Sequence, residues 1–188
     1  EDAVHAAVQA GANSIGFVLC ASPREISVAA ARRLKDIVPD GIDVAAVFRH
    51  VDAAAIEKAE AIQANIIQGE GPTDLPMPDS LRRLVACRKE NVPPGNDWIL
   101  LDGPRPGSGR PTDFDVARQV ASQRPIILAG GLTPDNVKEA IQRVRPAGVD
   151  VSSGVERRLG AKDIDLIKAF IQNVRETETN HDHDHRRP

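Results

Sequence analysis

Tyrosine is absent, and one tryptophan and four phenylalanines bring the aromatic share to only 3%. The core must therefore be aliphatic. Cysteine is scarce too. Cys20 and Cys87 are too few and too far apart for a disulfide framework, which makes a reduced cytoplasmic setting the default. There is no basic block and the formal net charge is −3, so nucleic acid is not an indicated partner. No apolar run approaches the roughly 20 residues that span a bilayer. No charged segment followed by an apolar one opens the chain, so neither membrane insertion nor export is indicated. A Ser-His-Asp arrangement, a metal-ligand spacing and a G-x-G-x-x-G fingerprint are all missing.

What is present is a chain of 188 residues with an ordinary 41% of hydrophobic residues and no linker-like stretch. The expectation is one domain over residues 1–175, followed by a disordered polar tail over residues 176–188. The tail alternates His181, His183 and His185 with aspartates. A terminus without fixed geometry is no metal site.

Residues 125–156 organise the rest. Ile126, Ile127, Leu128 and Ala129 form a continuous apolar run, as in a parallel strand covered on both faces. Gly130-Gly131 ends it and lets a ligand reach the backbone N–H groups. Thr133 is placed to cap a helix with Pro134 at its first position, and Val137, Ala140, Ile141 and Val144 give that helix one buried stripe. A second strand, Val149-Asp150-Val151, runs into Ser152-Ser153-Gly154. In a β/α barrel the loops after the last two strands commonly build a phosphate site from backbone N–H groups and a helix N-terminus. The bland alternative is a pair of tight turns. Two donor-rich corners at successive strand ends favour phosphate.

Elsewhere, residues 1–10 read as a helix stopped by Gly11. The helix has neither cap nor preceding strand, and upstream residues, a strand and its loop, are inferred. Strands are expected near residues 14, 44, 65, 98, 126 and 149, alternating with helices capped by Ser27, Asp52, Asp113 and Asp163. Between Gly69 and Trp98 the pattern predicts a helix starting at Asp79 or Ser80, with Leu81, Leu84 and Val85 on its face and Cys87 packing in its last turns. No strand is evident there. The alternation is that of a parallel α/β fold.

Among titratable groups, Asp102 closes an apolar strand where barrel enzymes place their chemistry. Partial burial would raise its pKa and make it a general acid; the alternative is a hydrogen bond to the Gly103 turn. Asp150 reads as a structural carboxylate in a strand interior. Cys20 ends a strand but has only Arg24 nearby to activate it. Arg24, ahead of a helix, can grip a carboxylate in a bidentate fork or be a solvated arginine.

Taken together, GANSIGFV followed by SPREIS, then ILLD, PGSGRPTDF, PIILAGGLTPDNVKEAI and GVDVSSGVERRLGAKD resemble the phosphoribosylanthranilate isomerase family of tryptophan biosynthesis. The pieces stand in the family's order over nearly the whole chain. The resemblance implies a ribulose-phosphate-binding (β/α)8 TIM barrel, incomplete here, with the first strand absent and the fifth βα unit shortened. It implies an isomerase that converts N-(5-phosphoribosyl)anthranilate to 1-(2-carboxyphenylamino)-1-deoxyribulose 5-phosphate by Amadori rearrangement. No cofactor and no metal are implied. The partner is the phosphorylated sugar-anthranilate itself, with no nucleic acid or membrane, and the protein is a monomer or homodimer. Asp102 then looks like the general acid on the furanose ring oxygen and Arg24 like the holder of the anthranilate carboxylate. Gly107, Ser108, Gly109, Gly130, Gly131, Ser153 and Gly154 look like the surroundings of the phosphate. The family's general base is a cysteine in a Lys-x-Cys-Gly motif that would precede Glu1. Neither Cys20 nor Cys87 lies in such a motif, and Ile66-Ile67-Gln68-Gly69 lacks the family's histidine. Sugar-phosphate binding with little turnover is expected of the chain as written. The competing readings are another phosphosugar barrel enzyme, such as an epimerase or histidine-pathway isomerase, and a non-catalytic phosphate-binding chain.

Overall fold

A computed structural model describes residues 1–72, 74–95, 98–103 and 113–184, with side chains up to residue 177. Seven strands lie side by side in chain order: β1 Ser14–Val18, β2 Asp43–His50, β3 Ile66–Glu70, β4 Arg82–Cys87, β5 Ile99–Leu101, β6 Ile126–Leu128 and β7 Gly148–Val149. Each pair is parallel, so every strand ends on the same rim. A parallel sheet needs crossovers on its face. They are supplied by α2 Val28–Lys35, α3 Ala53–Ala61, α4 Phe114–Ala121 and α5 Val137–Val144. Helices α1 Asp2–Ala10 and α6 Ile164–Asp184 pack on each other, and β8 Glu156–Arg158 pairs antiparallel with β9 Ala161–Lys162. The result is a curled parallel sheet with helices outside, an incomplete (β/α)8 barrel. Among the described residues no helix is long and apolar enough to cross a membrane.

Local chemistry accounts for most element ends. The side chains of Ser27, Asp52, Asp113 and Asp163 accept hydrogen bonds from N–H groups in the first turns of α2, α3, α4 and α6. Gly11, at φ +96°, lets its N–H turn back onto Ala7 O and Val8 O and stops α1. The core is aliphatic. Ile99, Leu101, Ile126 and Leu128 pack with Val137 and Val144 in one cluster, while Phe17, Val44, Ile62 and Ile67 lie in another. Helix α1 puts Ala6 in the first and Val4 in the second. Ala31, Ala59, Ala117 and Ala140 are wholly buried, and their small side chains let four helices sit close against the sheet.

Three expectations are corrected. Residues 82–87 form strand β4, not a helix, and Cys87 is its last residue. Leu81, Leu84 and Val85 fit a helical stripe. However, Gln68↔Leu84 and Val85↔Ile99 pairings with both neighbouring strands satisfy the backbone in extended form. The shortening of this region falls on its helices: a single 3₁₀ turn, Lys89–Asn91, follows β4. Second, α5 starts at Val137 with Asn136 as its N-cap residue, not at Thr133. Asn136 Oδ1 accepts from Thr133 N (2.8 Å) and its Nδ2 donates to Gly131 O (2.9 Å), which holds the preceding residues in a turn. Third, β7 ends at Val149, so Asp150 lies just past the strand and its N–H donates to Leu128 O (2.8 Å). Helix α6 keeps helical backbone through Glu176 to Asp184. Lys138 Nζ to Glu176 Oε2 (2.7 Å) and Thr177 Oγ1 to Asn173 O (2.8 Å) anchor it there.

Candidate active site

The C-terminal rim is shaped by contacts between loops. Asp102 follows β5 directly, and its N–H donates to Cys87 O (2.9 Å), continuing the ladder one residue beyond the strand. Its Oδ1 accepts from Gly103 N at 2.8 Å, the turn contact a strand-end aspartate makes. Gly130 follows β6 and faces this turn. A Cβ on Gly130 would lie 2.6 Å from Gly103 Cα and 2.7 Å from Asp102 Oδ1, with Gly103 N closer still. The φ of Gly130 is +81° and that of Gly131 is +69°, so both corner residues occupy left-handed backbone. Only the absence of a side chain lets the two loops touch.

The loop after β7 closes on the same corner. A Cβ on Gly154 would run into Leu132 O and stand 3.1 Å from Thr133 Cα. Ser153 and Gly154 open the 3₁₀ turn Ser153–Val155. Asp102, Gly130, Gly131, Ser153 and Gly154 are thus gathered at the ends of β5, β6 and β7. Gly107, Ser108 and Gly109 lie outside the described residues.

The electrostatics favour a protonatable acid. Burial pushes the Asp102 carboxyl above its usual range, opposed by the Gly103 N–H bond and by Arg88. Burial, with Asp102 nearby, pushes Asp150 up to about 6, against the pull of Lys162. The like charge of Asp102 thus adds to burial in raising the proton affinity of Asp150. Burial also pushes the Cys87 thiol up to about 11, so it is a neutral packing group. Cys20 is half-buried past the end of β1.

Arg24 sits on the loop after β1 and is not a free fork. Its Nε meets Glu156 Oε1 at 2.7 Å and its Nη2 meets Glu156 Oε2 at 2.9 Å. Glu156 opens β8 and its side chain is 4% exposed. It also accepts from Lys162 Nζ (3.1 Å) and Gly160 N (3.2 Å). Burial alone would raise its pKa, but the bonds from Arg24, Lys162 and Gly160 hold it down to about 2. Lys162 Nζ reaches on to Ser152 O (2.7 Å), next to the Ser153-Gly154 corner. Sequence reasoning missed Glu156 because its partner lies 132 residues away and no local pattern marks the pair.

A family model for N-(5′-phosphoribosyl)anthranilate (PRA) isomerase matches residues 1–173. N-(5′-phosphoribosyl)anthranilate isomerase of Streptococcus mutans is 38% identical over 184 residues, covering 93% of this chain and 94% of that protein. The crystal structure of phosphoribosyl anthranilate isomerase from Thermotoga maritima superposes with a TM-score of 0.79 at 32% identity, over 92% of each chain. A second isomerase structure, in complex with reduced 1-(o-carboxyphenylamino)-1-deoxyribulose 5-phosphate, superposes with a TM-score of 0.75 at 30% identity, also over 92% of each.

Proposed function

The chain belongs to the N-(5′-phosphoribosyl)anthranilate isomerase family, and on that premise we propose how its own residues divide the work. The protein is an isomerase of tryptophan biosynthesis that converts N-(5′-phosphoribosyl)anthranilate to 1-(2-carboxyphenylamino)-1-deoxyribulose 5-phosphate. The Amadori rearrangement opens the furanose ring. The bond between the anomeric carbon and the ring oxygen breaks, the oxygen takes a proton, and the nitrogen lone pair forms a C=N bond. Transfer of the proton on the neighbouring carbon to a general base, the role the family resemblance gives to a cysteine ahead of Glu1, then yields an enolamine, which tautomerises to the ketone.

Asp102 is the donor to the ring oxygen. The observation that carries this role is its place at the end of β5, half-buried and pressed against the Gly130 corner. Burial raises the carboxyl's affinity for its proton, the direction a general acid requires. Gly130, Gly131, Ser153 and Gly154 surround the ester phosphate through backbone N–H groups and the Ser153 hydroxyl. The consecutive left-handed glycines after β6 support this, because they carry no side chain between backbone and ligand. Arg24 holds the aromatic carboxylate. All these residues come from one chain, so a monomer and a homodimer serve equally.

Asp102→Asn keeps the side chain's size and removes its exchangeable acid. We expect kcat to fall by about 100- to 10,000-fold with little change in KM. A variant within about tenfold of the parent kcat would remove Asp102 from this role.

A further inference from the structure

The proton donor and the phosphate corners account for one side of the rim. The Arg24–Glu156–Lys162 cluster is a separate construction, built across the loop after β1 and the β8–β9 hairpin. We propose that Glu156 is a positioning residue of the isomerisation, which locks the Arg24 guanidinium side-on so that its end-on edge is presented to the aromatic carboxylate of the substrate. This rests on the reading that Arg24 holds that carboxylate.

A guanidinium carries five N–H groups in a fixed plane. Glu156 takes the side edge, one hydrogen on Nε and one on Nη2, at 2.7 and 2.9 Å. Nη1 and the outer hydrogen of Nη2 take no part in that pairing. They form the second two-pronged edge of the same plane, and that edge matches a carboxylate. A side chain held at one edge loses its torsional freedom before ligand arrives, so less entropy is lost on binding.

Charge is the obvious objection. A carboxylate beside Arg24 would neutralise it and repel a second carboxylate. Lys162 answers this. Its Nζ lies 3.1 Å from the same Glu156 Oε1, so two cations share one anion and the cluster keeps a net positive charge. Glu156 is 4% exposed while Arg24 is 23% exposed, so the anchor is sheltered and the arginine is open. Lys162 also donates to Ser152 O at 2.7 Å. The cluster therefore ties the carboxylate end of the ligand to the loop that holds its phosphate, and it fixes the distance between them.

The structural alternative is an ion pair that merely pins the hairpin. The two readings differ in selectivity. Titration calorimetry is run with reduced 1-(o-carboxyphenylamino)-1-deoxyribulose 5-phosphate and with the same molecule lacking the carboxyl group. Glu156→Gln should weaken the carboxylated ligand by roughly tenfold and leave the other within about twofold. Equal losses for the two ligands, or no loss, would overturn the proposal. If Glu156→Gln does not fold, Glu156→Asp, which keeps the charge but withdraws it by one methylene, is judged by the same ratio. Arg24→Ala separates the premise from the inference. If it discriminates between the ligands as the parent does, the carboxylate role of Arg24 fails. If Arg24→Ala loses selectivity and the Glu156 variants do not, positioning alone fails.

Discussion

Adding one methyl group at Gly130 tests whether the acid and the phosphate corner are truly in contact. In Gly130→Ala the new Cβ would sit 2.6 Å from Gly103 Cα and 2.7 Å from Asp102 Oδ1, well inside van der Waals contact. The neighbours are largely backbone, so no side-chain torsion relieves the clash. The residue would also keep φ near +81°, which costs an alanine about 1–2 kcal/mol. Overpacking adds about 1–3 kcal/mol. The sum is roughly 2–5 kcal/mol, and a chain of this size loses about 2–4 °C in Tm per kcal/mol. Gly41→Ala is the internal control. Gly41 has φ +89° but nothing within 4 Å of its would-be Cβ, so it carries the conformational cost without the clash. Thermal unfolding should therefore rank parent, Gly41→Ala and Gly130→Ala in falling order. Steady-state kinetics should show Gly130→Ala alone losing kcat, because the loop that yields carries Asp102. Equal Tm for the two variants, or parent-like kcat in Gly130→Ala, would refute the contact.

Other outcomes follow from the same geometry. Asp150 holds its proton to about pH 6 in the folded chain but only to 3.8 when unfolded. The folded state thus binds more protons between those values, and stability falls as pH rises through that window and stays lost above it. Asp150→Asn should accordingly gain Tm over the parent at pH 7.5 and not at pH below 4; a pH-independent difference would reject the shift. Ile126→Ala, at a wholly buried position in β6, should cost about 2–5 kcal/mol in denaturant unfolding. A loss below about 1 kcal/mol would mean the strand is not packed as described. Asp113→Ala removes the acceptor for Asp115 N and Val116 N, and should cost about 1 kcal/mol by the same assay.

Much of this protein was legible from local sequence. The capping side chains of Ser27, Asp52, Asp113 and Asp163 act on N–H groups two or three residues away, so a short window contains both partners. The strand end at Leu101, and the glycine corner that follows β6, come from chain chemistry of the same range. The rest depended on distant partners. Residues 82–87 satisfy a helical stripe and a buried strand about equally well, and pairing with β3 and β5 decided between them. Asn136 displaced Thr133 from the helix start because its side chain folds back on Gly131 O, a choice open only once the corner exists. Arg24 reads as a lone cation until the barrel brings up Glu156, and the raised pKa of Asp150 needs both burial and the approach of Asp102. Electrostatics and strand pairing act through space, and the chain alone does not say which charges or which backbone edges will meet.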